Sequence, residues 1–492
     1  MRTFKTFALV PLLAAFAGCT VGPAFVRPDA PAAPHFTDSG ALTQSNTDAQ
    51  HPEATQQRIV TDASPAEAWW EAFQSKPLND LVQQALAHNP TLAAADATVA
   101  QAQELIRAES GSLWPRVDLS AGTGRKKYGA SFFGSFQGPA PFTYFAVGPN
   151  VSYTLDLTGG IGRSIEARRA QAAYQEQQAA AARMSVSGNA VYLVLRIASI
   201  RDQIAAAEEI QRQDRENLRL VRIAYDNGLV SRLDILQAQS QVASDMALTP
   251  SLRQELSVSR HALAVMLGVT PDTAPQLDLA LNQFVLPATL AVGQPSELAH
   301  RRPDILAAEA QLHAATAAVG IATANLYPRI TLTAGISQES TSFSGLFNAS
   351  SNAWSLISGL TAPIFDGGSL RAERRSAIDA MHASAANYQH VVITAFAQVA
   401  DVLDALEHDA EQFTAERDAR DSARESAELA RRSYQEGNST ILQVLDAERL
   451  YQQASLGFVR ATAQQYLDTA QLFTALGGQS PERAAAVAAV HR

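Results

Sequence analysis

Four segments of the chain alternate apolar and polar residues with a period of two, which is the pattern of a β-strand with one apolar face. They form two pairs, one within about 114–157 and the other within about 327–365. In the first segment, Val117 and Leu119 alternate with polar neighbours. The pattern therefore predicts two hairpins, each with one apolar and one polar face.

Two long spans without proline carry a helical pattern instead. Residues 150–249 and 364–480 contain no proline, and apolar residues recur at heptad-like spacing within them. We predict long helices at about 162–226 and about 368–436, each on the order of 100 Å long at 1.5 Å per residue. No globular core is that deep, so we expect these helices to be exposed or coiled together.

Each predicted long helix ends at a Tyr-x-x-Gly sequence, whose glycines are Gly228 and Gly437. Glycine suits the position just after a helix because it adopts a left-handed conformation at little cost. Returning helices are predicted at about 231–267 and about 439–476, so the chain must reverse at both glycines.

Glycine pairs stand where the second strand of each hairpin turns into a long helix: Gly159, Gly160, Gly367 and Gly368. We interpret them as strand-to-helix junctions that need the conformational freedom of glycine. A phosphate-binding loop is the alternative, but no Lys-Ser/Thr follows at the spacing that such a loop requires.

The same order of elements occurs twice, with a shift of about 210 residues, which indicates a tandem repeat. The matching segments are Leu113–Leu119 with Leu326–Leu332, Tyr225–Gly228 with Tyr434–Gly437, Leu233–Leu236 with Leu442–Leu445, Asn89-Pro90 with Arg302-Pro303, and Leu267-Gly268 with Leu476-Gly477. We therefore predict a first repeat at 65–269, a linker at 270–296, a second repeat at 297–477 and a C-terminal tail at 478–492.

The N-terminus predicts export. Basic residues, an apolar run and the small residues before Cys19 indicate a signal peptide at 1–18. Cys19 is the only cysteine, so disulfides are excluded within the chain, and its place resembles a bacterial lipoprotein box. We expect a covalent lipid there rather than a structural thiol. Residues 19–64 are rich in Pro, Ala and Thr and predict a lipidated, extended tether.

Composition and motif spacing argue against several classes of function. The net charge is −10 and no basic block occurs, so binding to nucleic acid is not expected. Beyond the signal we find no apolar run long enough to cross a bilayer as a helix. Zinc-ligand spacings and a Gly-x-Ser-x-Gly elbow are absent from the sequence, so we expect neither a metal site nor an enzyme.

If the chain spans a membrane, it must do so with its alternating strands, apolar side outward. A soluble sandwich is the alternative, although four strands in two distant pairs make a poor one. A barrel needs about eight strands, so it must be shared between chains. Two chains would give eight strands with little lumen and three would give twelve around water; the strand count leaves this choice open.

Taken together, the motifs resemble those of the outer-membrane factor family. They are the lipoprotein box, the Trp/Tyr-Pro-Arg strand starts, the Pro-Ile-Phe-Asp-Gly-Gly turn at 363–368, Arg-Pro-Asp-Ile at 302–305 and the paired Tyr-x-x-Gly sequences. This family comprises TolC-like and OprM-like outlet channels of tripartite efflux pumps, including the NodT subfamily. The resemblance covers essentially the whole mature chain.

The resemblance implies a mainly α fold with a membrane β-barrel. Each tandem-repeat protomer would give four strands to a shared 12-stranded trimeric barrel, continued by a long α-helical periplasmic tunnel that closes at its tip. The implied partners are two further copies of the chain, a periplasmic adaptor (membrane fusion) protein, an inner-membrane transporter of the resistance-nodulation-division (RND) type and outer-membrane lipids. No cofactor is implied beyond the lipid on Cys19. The implied location is the outer membrane of a Gram-negative bacterium.

The expected function is that of an outer-membrane efflux duct for drugs or other small toxic compounds. An outlet for type I secretion or for metal efflux is an alternative. A non-conducting periplasmic coiled-coil scaffold is an alternative of a different class.

The resemblance also places a gate near the second turn. Leu442 and Asp446 lie four residues apart, and therefore share one helix face about 6 Å apart along the axis. In the family these positions constrict the closed tunnel, as an apolar ring and a carboxylate ring. Gln443 stands where some members carry a second aspartate. Three carboxylates around one lumen would repel each other and favour cation binding.

A lock is implied beside this gate. Asp234 matches a family position that binds the tyrosine corresponding to Tyr434 and holds neighbouring coils together. Ser439 replaces the arginine that reinforces this lock in some members.

Overall fold

The computed structural model describes residues 20–29, 36, 57–60, 68–129 and 140–478. The predicted signal peptide, Cys19, most of the predicted tether and all but the first residue of the C-terminal tail lie outside the described residues.

Most of the described residues are helical. The α-helices are α1 (Lys76–His88), α2 (Pro90–Ser110), α3 (Gly160–Asp226), α4 (Arg232–Met246), α5 (Leu248–Met266), α6 (Pro295–Leu298), α7 (Pro303–Ala324), α8 (Ser369–Gln435) and α9 (Ile441–Ala475). The β-strands are β1 (Arg58–Val60), β2 (Arg116–Lys126), β3 (Phe142–Leu155), β4 (Thr289–Ala291), β5 (Arg329–Ser340) and β6 (Asn352–Thr361). Helices α3 and α8 have 67 residues each.

The returning helix of the first repeat differs from its prediction. The sequence predicts one helix at about 231–267, whereas the structure divides it into α4 and α5 at Ala247. Pro250 is the physical reason, because it has no N–H to bond the carbonyl of Met246 four residues earlier. It lies instead in the first turn of α5, where an N–H would have no helical partner.

Strands β2, β3, β5 and β6 form one antiparallel sheet in that order. Its register aligns the apolar positions across all four strands: Val117 pairs with Val151, Val151 with Ala334, and Ala334 with Leu356. This apolar face is largely exposed in the single chain, with 74% of Leu356 accessible. Within the described residues β2 and β6 have one neighbouring strand each, so both edges of the sheet are open.

Two compact units make up the chain, and their bounds do not follow the two repeats. Unit 1 comprises 1–29, 98–176 and 307–388, and contains the sheet. Unit 2 comprises 30–97, 177–306 and 389–492. Its core draws on helices of both repeats, as when Trp69 stacks on Phe473 with ring centroids 5.3 Å apart.

Part of the predicted tether and of the predicted linker is ordered in unit 2. Strand β1, near the end of the tether, pairs in parallel with β4 in the linker. The amide of Gln57 donates to the hydroxyl of Thr469 at 2.9 Å and to the carbonyl of Pro287 at 3.0 Å. Residues 57–60 of the predicted tether are therefore held against the helices.

Helix α7 is long and apolar enough to cross a membrane by length and composition, which differs from the expectation that no such run follows the signal peptide. Glu309, Gln311 and His313 interrupt the apolar positions of this helix in the sequence. Half of its most apolar window is buried within the protein. Part of α7 therefore packs within the protein, where Leu312 and Val319 are buried.

Repeated motifs that are far apart in sequence meet in unit 2. The amide of Asn89 donates to the carbonyl of Met266 at 2.9 Å. In the second repeat, the guanidinium of Arg302 donates to the carbonyl of Ala475 at 2.9 Å. Each repeat thus joins the residue just before a helix, α2 or α7, to the end of its last helix through one polar side chain.

Candidate functional site

The two Tyr-x-x-Gly turns have the same backbone geometry. Gly228 and Gly437 have φ angles of 72° and 78°. The Gly437 N–H donates to the carbonyl of Tyr434 at 3.0 Å, and the next N–H, of Asn438, donates to Ser433 at 2.8 Å. The first turn repeats this pair of bonds. Both turns are therefore Schellman motifs, which satisfy the last carbonyls of α3 and α8.

Equivalent capping boxes start the returning helices. The carboxylate of Asp234 accepts from the backbone N–H of Ser231 at 2.7 Å and from its hydroxyl at 2.8 Å. In the second repeat, the side-chain oxygen of Gln443 accepts from the backbone N–H of Thr440 at 3.2 Å. The bonds from the Ser231 side chain and backbone lower the pKa of Asp234. Asp234 and Gln443 therefore perform the same local task, as the N3 residues of capping boxes whose N-caps are Ser231 and Thr440.

Tyr434 lies against a small apolar cluster beside the second turn. The buried members of this cluster are Val221, Ala238, Ile441 and Val444, which come from α3, α4 and α9. Within the described residues, the hydroxyl of Tyr434 has no hydrogen-bond partner, and in particular none in Asp234. The single chain thus uses the ring of Tyr434 for packing and leaves its hydroxyl unused.

Leu442 and Asp446 lie on successive turns of α9 and are both exposed. Leu442 is 44% accessible. The carboxylate of Asp446 forms an ion pair with Arg449, at 2.8 Å. Sequence reasoning missed Arg449, although the spacing of three residues on a helix could have revealed the pair. An exposed pair of this kind contributes at most about 1 kcal/mol, but it places a positive charge beside each predicted carboxylate of the gate.

A buried charge lies on the same helix, between Asp446 and Arg449 in sequence. Glu448 is 1% exposed and accepts hydrogen bonds from Asn217 on α3 and from Arg431 on α8. These bonds join three helices near the turns. No motif indicated Glu448, because its partners come from distant parts of the chain.

The glycine pairs mark both strand-to-helix junctions in unit 1. Gly159 has a φ angle of 73°, and Gly367 and Gly368 have φ angles of 67° and 90°. Gly160 is the first residue of α3. Three of the four predicted glycines therefore adopt a conformation that other residues rarely take.

An aspartate caps the long helix at each junction. Asp156 accepts from the N–H groups of Ile161 and Gly162 at 3.0 and 2.9 Å. Asp366 does the same for two N–H groups at the start of α8, at 2.9 and 2.7 Å. These backbone donors, first the N–H of Leu370, lower the pKa of Asp366. The two aspartates occupy equivalent positions in the repeats.

The residues that follow Cys19 are bound to the first junction. We call residues 20–27 the N-terminal strap. Thr20 lies against Gly159, where a Cβ would come within 2.8 Å of the threonine Cγ2. The Val21 N–H donates to the carbonyl of Thr158 at 3.1 Å. The buried guanidinium of Arg163 donates to the carbonyls of Val21 and Gly22 at 3.3 and 3.4 Å.

Further along, the strap packs on α7 of the same unit. The ring of Phe25 stacks on His313 with centroids 4.3 Å apart. Arg27 forms an ion pair with Glu309 at 2.6 Å. His313 in turn contacts Glu166 at 2.9 Å, and Glu166 also pairs with Arg163 at 2.7 Å. The predicted tether is therefore fixed in its first residues, and Cys19 directly precedes a residue at the strand-to-helix junction.

Comparison with known proteins gives a consistent result. The sequence profile of the family described as outer membrane efflux protein matches residues 81–269 and 294–478, well over half of the chain. The pyoverdine export outer membrane protein OpmQ of one Pseudomonas putida strain is 31% identical over 422 residues, which cover 85% of this chain and 89% of OpmQ. The toluene efflux pump outer membrane protein TtgF of another Pseudomonas putida strain is 30% identical over 478 residues, which cover 95% of this chain and 96% of TtgF.

A solved structure has the same fold. The outer-membrane channel OprN superposes with a TM-score of 0.83 at 28% sequence identity, over 94% of this chain and 99% of that chain. The predicted fold class, a membrane β-barrel continued by a helical tunnel, is that of OprN and of the solved channels CusC and CmeC. The open sheet edges and uncovered apolar face described above are what a shared barrel requires of each chain.

Proposed function

The chain belongs to the outer membrane efflux protein family, and on this premise we propose that three copies form one duct that is gated at the helix turns of unit 2. The general role follows from membership. The protein is the outer-membrane channel component of an efflux system, and it is a transport component rather than an enzyme.

The trimer is supported by the sheet. One chain supplies four antiparallel strands with two open edges and an exposed apolar face, an arrangement that is unfavourable both in water and in lipid. Three chains would close these edges in a barrel of twelve strands. About eight strands, from two chains, leave an interior that side chains fill, whereas an export duct needs a water-filled lumen. Folding of the sheet and assembly are then one process.

The gate is supported by residues near the second turn. Leu442 and Asp446 are exposed on one face of α9, so threefold symmetry would turn them into two rings across a lumen. Gln443 is occupied by its capping box and contributes less to such a ring. Because Arg449 accompanies Asp446, the acidic ring would be partly neutralised and its preference for cations reduced.

The lock would operate between chains. In the single chain Asp234 is held by Ser231 and the hydroxyl of Tyr434 is unused. A carboxylate has further lone pairs, so Asp234 remains able to accept from the Tyr434 hydroxyl of a neighbouring chain. Such bonds would keep adjacent helix pairs together in the closed state.

The partners would be a periplasmic adaptor and an inner-membrane transporter of the RND type. Exposed apolar residues near the first turn support docking of an adaptor, since Leu229 is 76% and Leu233 is 62% accessible. The names of OpmQ and TtgF specify different compounds, pyoverdine and toluene. We propose small toxic compounds as the cargo, with the transporter making the selection.

Planar-bilayer conductance of the purified protein tests the gate. We expect Leu442→Ala combined with Asp446→Ala to raise the resting conductance. The matched control combines Leu233→Ala with Gln237→Ala at the equivalent positions of the first repeat, and should conduct like the parent protein. If the gate variant also conducts like the parent, the proposed gate is wrong.

Tyr434→Phe tests the lock separately. The hydroxyl has no partner within the described chain, so its removal leaves the apolar packing of the ring in place. A higher resting conductance would therefore report a bond between chains. An unchanged conductance would contradict the proposed bond between Tyr434 and Asp234 of neighbouring chains, and would leave the proposed gate at Leu442 and Asp446 untouched.

A further inference from the structure

Each helical hairpin of unit 2 buries one pair of aspartates. Asp214 on α3 faces Asp245 on α4, and Asp409 on α8 faces Asp468 on α9. All four side chains belong to residues that are between 5% and 9% exposed. The pairs are not related by the repeat, because the equivalent positions in the other repeat carry no acidic residue. Each hairpin therefore brings two carboxyl groups together at positions with little exposure to water.

The hydrogen bonds of the first pair leave one oxygen unmatched. Gln452 donates to Oδ1 of Asp214 at 2.8 Å, and Gln241 donates to Oδ2 of Asp245 at 2.8 Å. Oδ2 of Asp214 is buried and receives no hydrogen bond. The carboxyl group of Asp245 is the neighbour that could donate a hydrogen bond to this oxygen, if it carried a proton.

The second pair repeats this arrangement. Gln464 donates to Oδ2 of Asp468 at 2.9 Å. Oδ2 of Asp409 is buried and receives no hydrogen bond. A buried acceptor without a donor is costly, and two ionised carboxylates in contact are more so. One proton between the two groups removes both costs, since the protonated group then donates to its partner.

The remaining charges around the pairs do not replace this proton. Glu448 on α9 is negative and faces Asp214, and the positive charge nearby, Arg431 on α8, is already paired with Glu448. Among the described residues, the charged group that acts on Asp409 is its own partner, Asp468. Burial and the neighbouring carboxylate raise the pKa of Asp214 to about 7 and that of Asp409 to about 8.

We propose that Asp214–Asp245 and Asp409–Asp468 each share one proton across a helical hairpin, and that loss of these protons loosens the hairpins and makes the closed state of the duct sensitive to pH. The pH sensitivity of the closed state rests on the gate proposed above. The sharing of the protons does not.

The direction of the effect follows from the raised pKa values. A carboxyl group that holds its proton more tightly in the folded than in the unfolded chain stabilises the fold in acid. This stabilisation is complete below the ordinary pKa of aspartate. It is lost as the pH rises through about 7 for Asp214 and about 8 for Asp409. The hairpins should therefore be tightest in mildly acidic solution and looser in alkaline solution.

Asparagine mimics the protonated carboxyl group, because its amide donates a hydrogen bond at every pH. We compare the parent trimer with Asp214→Asn, Asp409→Asn and the double variant. The control is Asp404→Asn, which makes the same change at an exposed position on α8.

Infrared difference spectra between about pH 6 and about pH 9 detect the protonated carboxyl groups directly. The parent and the control should show a buried protonated carboxyl band that disappears at the higher pH. Each single variant should lose about half of this band and the double variant all of it. Absence of the band in the parent would overturn the proposal, and so would its survival in the double variant.

Melting temperature and conductance over the same pH range measure the consequence. The melting temperature of the parent and the control should fall as the pH rises, whereas that of the double variant should stay level. The resting conductance of the parent should rise over this range, and that of the double variant should not. If the infrared band and the melting temperature change with pH as expected but the conductance of the parent does not, the link between the protons and the gate is wrong. If the melting temperatures of the parent and the double variant change with pH in the same way, loss of the protons does not loosen the hairpins.

Discussion

Arg163 provides the sharpest test of how the N-terminal strap is held. Its side chain is only 9% exposed and donates two bonds to strap carbonyls, at 3.3 and 3.4 Å. Both bonds are long, so we assign about 1 kcal/mol to each, the value of an ordinary hydrogen bond and below the range for a charged donor. Arg163→Ala should therefore weaken binding of the strap by about 2 kcal/mol. This corresponds to about a thirtyfold increase in the fraction of released strap.

Hydrogen exchange of the strap amides measures this fraction. The best reporter is the N–H of Val21, which donates to the carbonyl of Thr158 at 3.1 Å. Its exchange should accelerate by about thirtyfold in Arg163→Ala. Exchange in unit 2 should be unchanged, which distinguishes release of the strap from loss of the whole fold.

Arg27→Ala is the matched control. It also removes an arginine that holds the strap, this time one within the strap itself, but the ion pair of Arg27 with Glu309 is partly exposed, with 46% of the Arg27 side chain accessible. Such a pair contributes about 1 kcal/mol or less, so we expect acceleration of about fivefold at most. If the two variants accelerate exchange equally, or Arg163→Ala has no effect, the buried guanidinium does not hold the strap.

Three further predictions follow from single residues. Gly437→Ala should lower the free energy of unfolding by about 1 kcal/mol in a melting assay, because alanine is strained at the φ angle of 78°. An added Cβ would meet no atom within 4 Å, so no clash contributes. Gly111→Ala is the control, since that position is equally unobstructed and has an ordinary φ angle, and it should have little effect. Glu448→Gln removes a buried carboxylate that accepts from Asn217 and Arg431, while the remaining Arg431 charge is 42% exposed and can be solvated. The protein should be destabilised by about 1.5 kcal/mol in denaturant titration, and an unchanged free energy of unfolding would contradict the role of Glu448 in joining helices. Cys19→Ala should reduce the amount of assembled protein more than the conductance of each channel, and an unmodified mature cysteine in mass spectrometry of the parent would exclude the lipid.

Local features of this chain were predictable from sequence because their causes lie within a few residues. The alternation of Val117 and Leu119 with polar neighbours identifies the apolar face of a strand, and the register places that face in one row across the sheet. Glycine after Tyr-x-x indicates a left-handed residue, which both turns contain. The tandem repeat is likewise visible in the order of residues alone. Pro250 shows the limit, since one proline divides a returning helix that the periodicity alone predicts as continuous.

Tertiary structure alone decided which distant groups meet. A helical period shows that Glu448 and Asp446 point in different directions, but it does not show that Glu448 meets Asn217, which is 231 residues away. The same holds for Arg163 and the strap, 142 residues apart, and for the carboxyl pairs of the two hairpins. Such contacts depend on how long helices are aligned against each other, and a shift by one turn would exchange every partner while leaving the pattern of apolar positions almost unchanged. Periodicity therefore determined the elements and their apolar faces, whereas the packing of one helix on another determined the buried charges.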